Sequence, residues 1–153
     1  MEKRTVQIDV IKSYLKECET NEFENQLNRD FNKLRELTNE IRVFKLKTTD
    51  EGEKEANRRK NRYRDILPYD DTRAKLEPLY LNENNEIING SDYINASIIN
   101  SSIDSYYKYI AAQGPTKDTC VDFIRMLVQY NVKIVICACN EYEGQKLKCH
   151  RYW

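Results

Sequence analysis

Between Asn21 and Phe44 the apolar side chains fall at Phe23, Leu27, Phe31, Leu34, Leu37, Ile41 and Phe44, steps of three or four that place them on one helical face. Asn21 followed by Glu24 has capping-box spacing, so the helix is predicted to begin at Asn21. Upstream, Val6, Val10, Ile11, Tyr14, Leu15 and Cys18 predict a shorter amphipathic helix. The next stretch, TTDEGEKEANRRKN at 48–61, holds few apolar residues and a Gly, and reads as a loop.

Beyond Tyr63 the pattern changes to short apolar pieces rich in β-branched and aromatic residues. DYINASII follows an Asn89-Gly90 turn signal and predicts a strand, as does YYKYIAAQ. PTKDTCVDFIRMLVQY returns to helical period, with Thr116 able to cap its start and Val121, Ile124 and Leu127 or Val128 facing inward. Val132 to Ala138 is a nearly continuous apolar run of strand length, the pattern of a strand inside a sheet and covered on both faces. The polar loop CNEYEGQ then leads to a closing strand, KLKCHRYW. These elements define an α/β (α+β) chain without repeats, read as one partial domain over 1–153 with a helical region at 1–56 and a sheet-forming region at 57–153.

Charge narrows the choice of partners. Lys plus Arg equals Asp plus Glu at 25 each, so no net field draws in nucleic acid or an acidic membrane. The basic run at Arg58 to Arg62 reads as a solvated face. No apolar run approaches the roughly 20 residues needed to cross a bilayer, and the start, MEKRTVQIDV, lacks the apolar core of an export signal. A cytoplasmic location is expected, and five cysteines without a Cys-x-x-Cys pair suit a reducing compartment. The Asn-x-Ser matches at Asn89, Asn95 and Asn100 are then chance occurrences.

Candidate chemistry is sparse. No Gly-x-Gly phosphate loop is present, and no cofactor is expected. His150 and Cys149 are adjacent, so on a strand they point to opposite faces and make a poor base and nucleophile pair. Cys137 and Cys139 share a face, and Cys149 on a neighbouring strand could approach them. A zinc site from these three with His150 is conceivable, yet the spacing matches no usual zinc pattern and cysteine is a common small buried residue, so no metal ligand is assigned.

One stretch is far more specific. KNRYRDILPYDDTRAKL, Lys60 to Leu76, resembles the opening motif of the protein tyrosine phosphatase domain, in which Asn-Arg-Tyr, Asp, Pro-Tyr-Asp and Arg-x-x-Leu recur in that order. SDYINASII, YIAAQGP, DFIRM, NVKIVICA and KCHRYW follow in the family's order, so the resemblance covers about Asn21 to Trp153. Ala112 stands where the family usually has Thr, and Ile124 where it usually has Trp. The resemblance implies the family's mixed sheet flanked by helices. It also implies that Tyr63 stacks on the phosphotyrosine ring and that Asp65 accepts hydrogen bonds from the substrate backbone, both as vestigial contacts. The alternative is a half-buried Tyr63 and an Asp65 that caps a turn.

The family's catalysis uses a Trp-Pro-Asp loop, which carries the general acid, and a His-Cys-x5-Arg loop, whose Cys attacks phosphorus. Six positions beyond Cys18, Cys120, Cys137 and Cys139 stand Glu24, Met126, Glu143 and Gln145, and none is the required Arg. With the chain stopping before the acid loop, no catalytic residue is assigned, and an inactive, truncated phosphatase-like protein or interaction remnant is expected. The Asn- and Lys-rich texture is similar to inactive copies carried by insect-associated DNA viruses, for which the compartment would be host cytoplasm. A fragment of an active phosphatase is the alternative, and a Cys/His metal-binding protein a further one. By resemblance Val132 to Ala138 should lie beside strands outside this chain, so self-association or an unknown protein partner is expected to cover it.

Overall fold

A computed structural model of the chain describes residues 2–81, 85–101 and 108–153, with side chains from residue 9 onward. The chain separates into two compact units, Met1–Leu46 and Lys47–Trp153.

The first unit holds α1 (Glu2–Cys18) and α2 (Asn21–Val43). The predicted α2 forms, but its cap is Thr20 and not Asn21: the Thr20 hydroxyl accepts from the Phe23 N–H at 3.2 Å, and Asn21 is already helical. Tyr14 meets Phe23 edge to face, with ring centroids 5.9 Å apart. None of the described residues of α2 is buried, although its apolar stripe is as regular as its period suggests.

The second unit begins with the stretch predicted as a loop, and here the structure differs. It contains two short helices, α3 (Asp50–Glu53) and α4 (Glu55–Arg58). Their start is organised from a distance: the Asp70 carboxylate accepts from the N–H of Asp50 at 2.8 Å and of Glu51 at 3.0 Å. A cap supplied 20 residues downstream leaves no local signature.

Strands β1 (Arg73–Lys75), β2 (Tyr93–Asn100) and β3 (Lys108–Ala112) form an antiparallel sheet in that order. The Asn-Gly turn precedes β2 as predicted, with Gly90 at φ 74°. Tyr106 and Tyr107, the start of the predicted third strand, lie outside the described residues. A 3₁₀ turn (Lys117–Thr119) leads into α5 (Cys120–Gln129), and Thr116 stands before it with its N–H donating to the Thr119 hydroxyl at 2.9 Å.

The core lies between sheet and helix: Ala74, Leu76, Ile94 and Ala96 from the sheet region meet Phe123 and Met126 of α5. The inward face of α5 is not the predicted one. Val121, Ile124 and Val128 are exposed and, with Cys120, line an open apolar groove, whereas Leu127 is half-buried. The reason is polar anchoring: Arg125 donates to the carbonyls of Ser91 (3.1 Å) and Glu77 (2.5 Å), and Gln129 donates to that of Lys75 (2.7 Å). The face turned inward is a second apolar stripe, Phe123, Met126, Leu127 and Tyr130, and these main-chain acceptors favour it over the Val121 stripe.

The largest departure is at Val132–Ala138. The segment is irregular, and Ile134 and Ile136 are 77% and 86% exposed. An extended apolar run becomes a strand only when another strand satisfies its main chain, and no described strand lies beside it. KLKCHRYW is likewise strand only at β5 (Lys146–Leu147), which pairs with β4 (Tyr142–Glu143) across the Gly144 turn. Among the described residues no helix is long and apolar enough to cross a membrane.

Candidate functional site

The loop from Lys60 to Ile66 is the best-anchored polar feature of the second unit. Strand β2 explains why: alternate residues point to opposite sides, so Ile94 and Ala96 enter the core while Tyr93 and Asn95 face the loop. Both faces of the strand's first half are therefore buried.

Asn61 is the hub. Its Oδ1 accepts from the Tyr93 hydroxyl at 2.6 Å and from Asn95 Nδ2 at 2.9 Å, and its Nδ2 donates to the carbonyl of Gly52 at 3.0 Å. Burial pushes the Tyr93 phenol up to about 12, so the hydroxyl stays a donor. Asn95 Nδ2 also donates to the Ile66 carbonyl at 2.8 Å, which closes the far end of the loop.

The basic run read as a solvated face is in large part internal anchoring. Lys60 Nζ lies 2.8 Å from Asp122 and donates to the carbonyls of Gly90 and Tyr93 at 2.9 and 3.2 Å. The Arg62 guanidinium donates to the carbonyls of Gly114, Pro115 and Leu147 at distances from 2.6 to 3.1 Å. Gln113 ties the two together, accepting from the Arg62 N–H at 3.0 Å and donating to the Lys60 carbonyl at 2.7 Å. Charge-run reasoning misses these residues because their acceptors are main-chain carbonyls, which no residue letter advertises.

Between these anchors Tyr63 projects outward, 45% exposed. Lys148 Nζ donates to its hydroxyl at 2.9 Å, lies 5.5 Å from its ring centroid and reaches Glu143 at 3.3 Å. The hydrogen bond to Tyr63 and then the one to Glu143 raise the Lys148 pKa, keeping it cationic. Asp65 is exposed, and its carboxylate has no hydrogen bond or ion pair with any described residue. The two residues singled out in the sequence thus share one exposed loop, one offering an aromatic face and the other a free acceptor. Lys148 was not singled out; its place in KCHRYW, beside the motif's cysteine, was the available signal.

The four residues considered for zinc divide. The sulfurs of Cys137, Cys139 and Cys149 lie within 4.8 Å of one another, while His150 is not in the group. The His150 N–H donates to the Pro115 carbonyl at 2.8 Å. Cys149 is buried and the other two lie at the surface. Burial pushes the Cys149 thiol up to about 11.

This geometry can present a ring and an acceptor to a peptide. The protein-tyrosine phosphatase family profile matches residues 57–153. Human tyrosine-protein phosphatase non-receptor type 12 is 44% identical over 130 residues, covering 85% of this chain and 16% of its own length. Mouse tyrosine-protein phosphatase non-receptor type 18 is 35% identical over 147 residues, covering 95% of this chain and 31% of its own length. Among solved structures, the catalytic domain of human protein tyrosine phosphatase non-receptor type 18 matches with a TM-score of 0.71 at 36% identity, over 86% of this chain and 45% of that one. A structure of the type 18 enzyme in complex with HER2 phosphopeptides matches with a TM-score of 0.73 at 35% identity, over 93% of this chain and 48% of that one. The chain therefore spans about half the length of these solved domains and less than a third of these relatives.

Proposed function

Because this chain belongs to the protein-tyrosine phosphatase family, we propose that its second unit is the phosphotyrosine-recognition half of a phosphatase domain, and that the 153 residues by themselves hydrolyse no phosphotyrosine. The observation that carries this reading is the Tyr63 loop. Asn61 and Arg62 anchor the chain before an outward-facing ring, Asn95 holds the Ile66 carbonyl after it, and Asp65 is left with an uncommitted carboxylate.

In this reading Tyr63 stacks on the phosphotyrosine ring while Asp65 accepts from backbone N–H groups of the peptide. Stacking contributes about 1 kcal/mol and a charge-assisted hydrogen bond about 2 kcal/mol. Micromolar affinity needs about 8 kcal/mol. The loop therefore orients a peptide and cannot retain it alone. Hydrolysis needs more: a low-pKa thiolate to attack phosphorus, converging donors for the phosphoryl oxygens and an acid for the leaving phenolate. No cysteine among these residues is followed at the sixth position by Arg.

The test is phosphate release from a phosphotyrosine peptide by the purified 153-residue chain, alongside binding of the same peptide with and without its phosphate. Neither turnover nor phosphate-dependent binding is expected. Turnover that copurifies with the chain and disappears on mutation of one cysteine would overturn the reading.

The bare segment Val132–Ala138 supports a companion reading, that these residues work together with further strands of the same fold. Those strands belong either to a longer polypeptide, which makes this chain a fragment of an active enzyme, or to another molecule. A coding frame that continues through Cys-x5-Arg would select the fragment; a stop codon after Trp153 would select the inactive form that pairs with another molecule.

A further inference from the structure

We propose that Cys137, Cys139 and Cys149 form a binding site for a thiophilic metal ion of the zinc type, held by three thiolates with one coordination position open to solvent. The site uses neither Tyr63 nor Asp65 and no phosphatase chemistry.

The sulfur spacing is the first support. The three Sγ atoms lie within 4.8 Å of one another. The Cys137 and Cys139 sulfurs are 3.8 Å apart, the separation of about 3.8 Å that tetrahedral zinc with bonds of about 2.3 Å imposes on two thiolates. One ion bonded to all three sulfurs needs the Cys149 Sγ to come no more than about 1 Å closer to the other two.

The chain path is the second. Cys137 and Cys139, two residues apart, bring their sulfurs together at a bend that ends the irregular stretch from Val132. The β4–β5 hairpin then doubles back and delivers Cys149. It is fixed before and after: the Lys148 N–H donates to the Glu141 carbonyl at 2.8 Å, and the His150 N–H to the Pro115 carbonyl at 2.8 Å. Gly114 keeps the space beside it, since a Cβ there would stand 3.1 Å from the Cys149 Cβ.

Ligand chemistry selects the class of ion. Three sulfurs without a carboxylate favour soft or borderline cations such as Zn²⁺ over Mg²⁺ or Ca²⁺. The surface positions of Cys137 and Cys139 give an ion a direct path from solvent, and with His150 outside the group the fourth position falls to water or an external ligand. Binding releases the thiol protons to solvent and leaves one net negative charge. The Arg62 guanidinium, bonded to the Leu147 carbonyl, lies within electrostatic reach of Cys139 and Cys149 to offset it. A disulfide would join two of the three sulfurs at about 2.05 Å and strand the third; all three are free.

The experiment is an anaerobic Co²⁺ titration of the full 153-residue chain with a phosphine reductant. One Co²⁺ per chain is expected, with the visible bands of tetrahedral cobalt and a near-ultraviolet thiolate charge-transfer band, all lost on adding Zn²⁺. Cys137→Ser and Cys139→Ser, both at the surface, should each remove the charge-transfer band while circular dichroism stays unchanged, and Cys120→Ser should keep it. Absence of these bands at saturating Co²⁺, bands at full strength in Cys137→Ser, or one ion per two chains would each overturn the proposal.

Discussion

The guanidinium of Arg62 donates to the main-chain carbonyl of Leu147 at 2.6 Å, joining positions 85 residues apart. The same group also holds Gly114 and Pro115, so one planar fork clamps the start of the Tyr63 loop to two distant stretches of backbone. Lys cannot replace it, because an ammonium lacks the fixed fork that spans several carbonyls. Arg62→Lys and Arg62→Ala are both expected to destabilise the second unit, the latter by about 3 kcal/mol. Urea unfolding checks this, and a Lys variant as stable as the parent would count against the clamp.

Asn61 and Tyr93 form a pair whose two halves are unequal. Tyr93→Phe removes one donor but leaves Asn61 Oδ1 bonded to Asn95, and should cost about 1 kcal/mol. Asn61→Ala strips the buried Tyr93 hydroxyl of its acceptor and frees the loop as well, and should cost about 3 kcal/mol. Equal losses in denaturant titrations would contradict the hub role of Asn61.

Two glycines separate steric from conformational effects. Both have positive φ, but a Cβ on Gly90 would lie 2.4 Å from Asn57 Oδ1, whereas one on Gly144 meets nothing within 4 Å. Gly144→Ala should cost about 1 kcal/mol, the backbone term alone. Gly90→Ala should cost about 3 kcal/mol or more, because Asn57 is fully buried and cannot move aside. Thermal unfolding of the two variants gives the comparison directly.

Stability should fall at both ends of the pH scale, for different reasons. Burial pushes the Asp70 carboxyl up, but hydrogen bonds from Thr48 and from the N–H groups of Glu51 and Asp50 outweigh it and hold the pKa below 3.8. The unfolded state then binds the proton first, so this contribution is present above about pH 4 and is lost as pH falls through the lower folded value. Tyr93 is the reverse: its pKa is raised to about 12, so its contribution is present below about pH 10 and is lost as pH rises toward 12. Asp70→Asn should flatten the acid limb of the stability profile and Tyr93→Phe the alkaline limb, and an unchanged limb in either variant would remove that assignment.

The exposed run Val132–Ala138 gives the isolated chain an aggregation-prone edge. The 153-residue chain is expected to self-associate in a concentration-dependent way under reducing conditions. Ile134→Lys with Ile136→Lys should restore a monomer in sedimentation velocity, since both side chains face solvent and no core contact is lost. A parent chain that is monomeric at high concentration would refute this.

Much of the second unit was legible because its signals are local. The Asn89-Gly90 turn, strand β2 and the helix near Cys120 each follow from a few neighbouring letters. What escaped was set at a distance. Residues 48–61 fold into helical turns through Asp70, and α5 turns Phe123 and Met126 inward in place of Val121 and Ile124 because Arg125 and Gln129 find carbonyls on other segments. Val132–Ala138 shows the converse, for its composition is that of a strand and yet no described strand pairs with it. At the site, Tyr63 and Asp65 came from a resemblance of motif, whereas Lys148 and the inward roles of Lys60 and Arg62 depend on contacts from residue 90 onward.

The Tyr63–Lys148 hydrogen bond also has a consequence in time. Its partners are 85 residues apart, so a ribosome adding about 5–20 residues per second makes the tyrosine roughly 4–17 s before the lysine that holds it. Sheet and helix contacts at shorter range can form during that interval. The contact that steadies the exposed Tyr63 ring is thus made later than the sheet and helix contacts of residues 73–129, and a nascent chain paused before residue 147 would carry that interior with the ring still unheld.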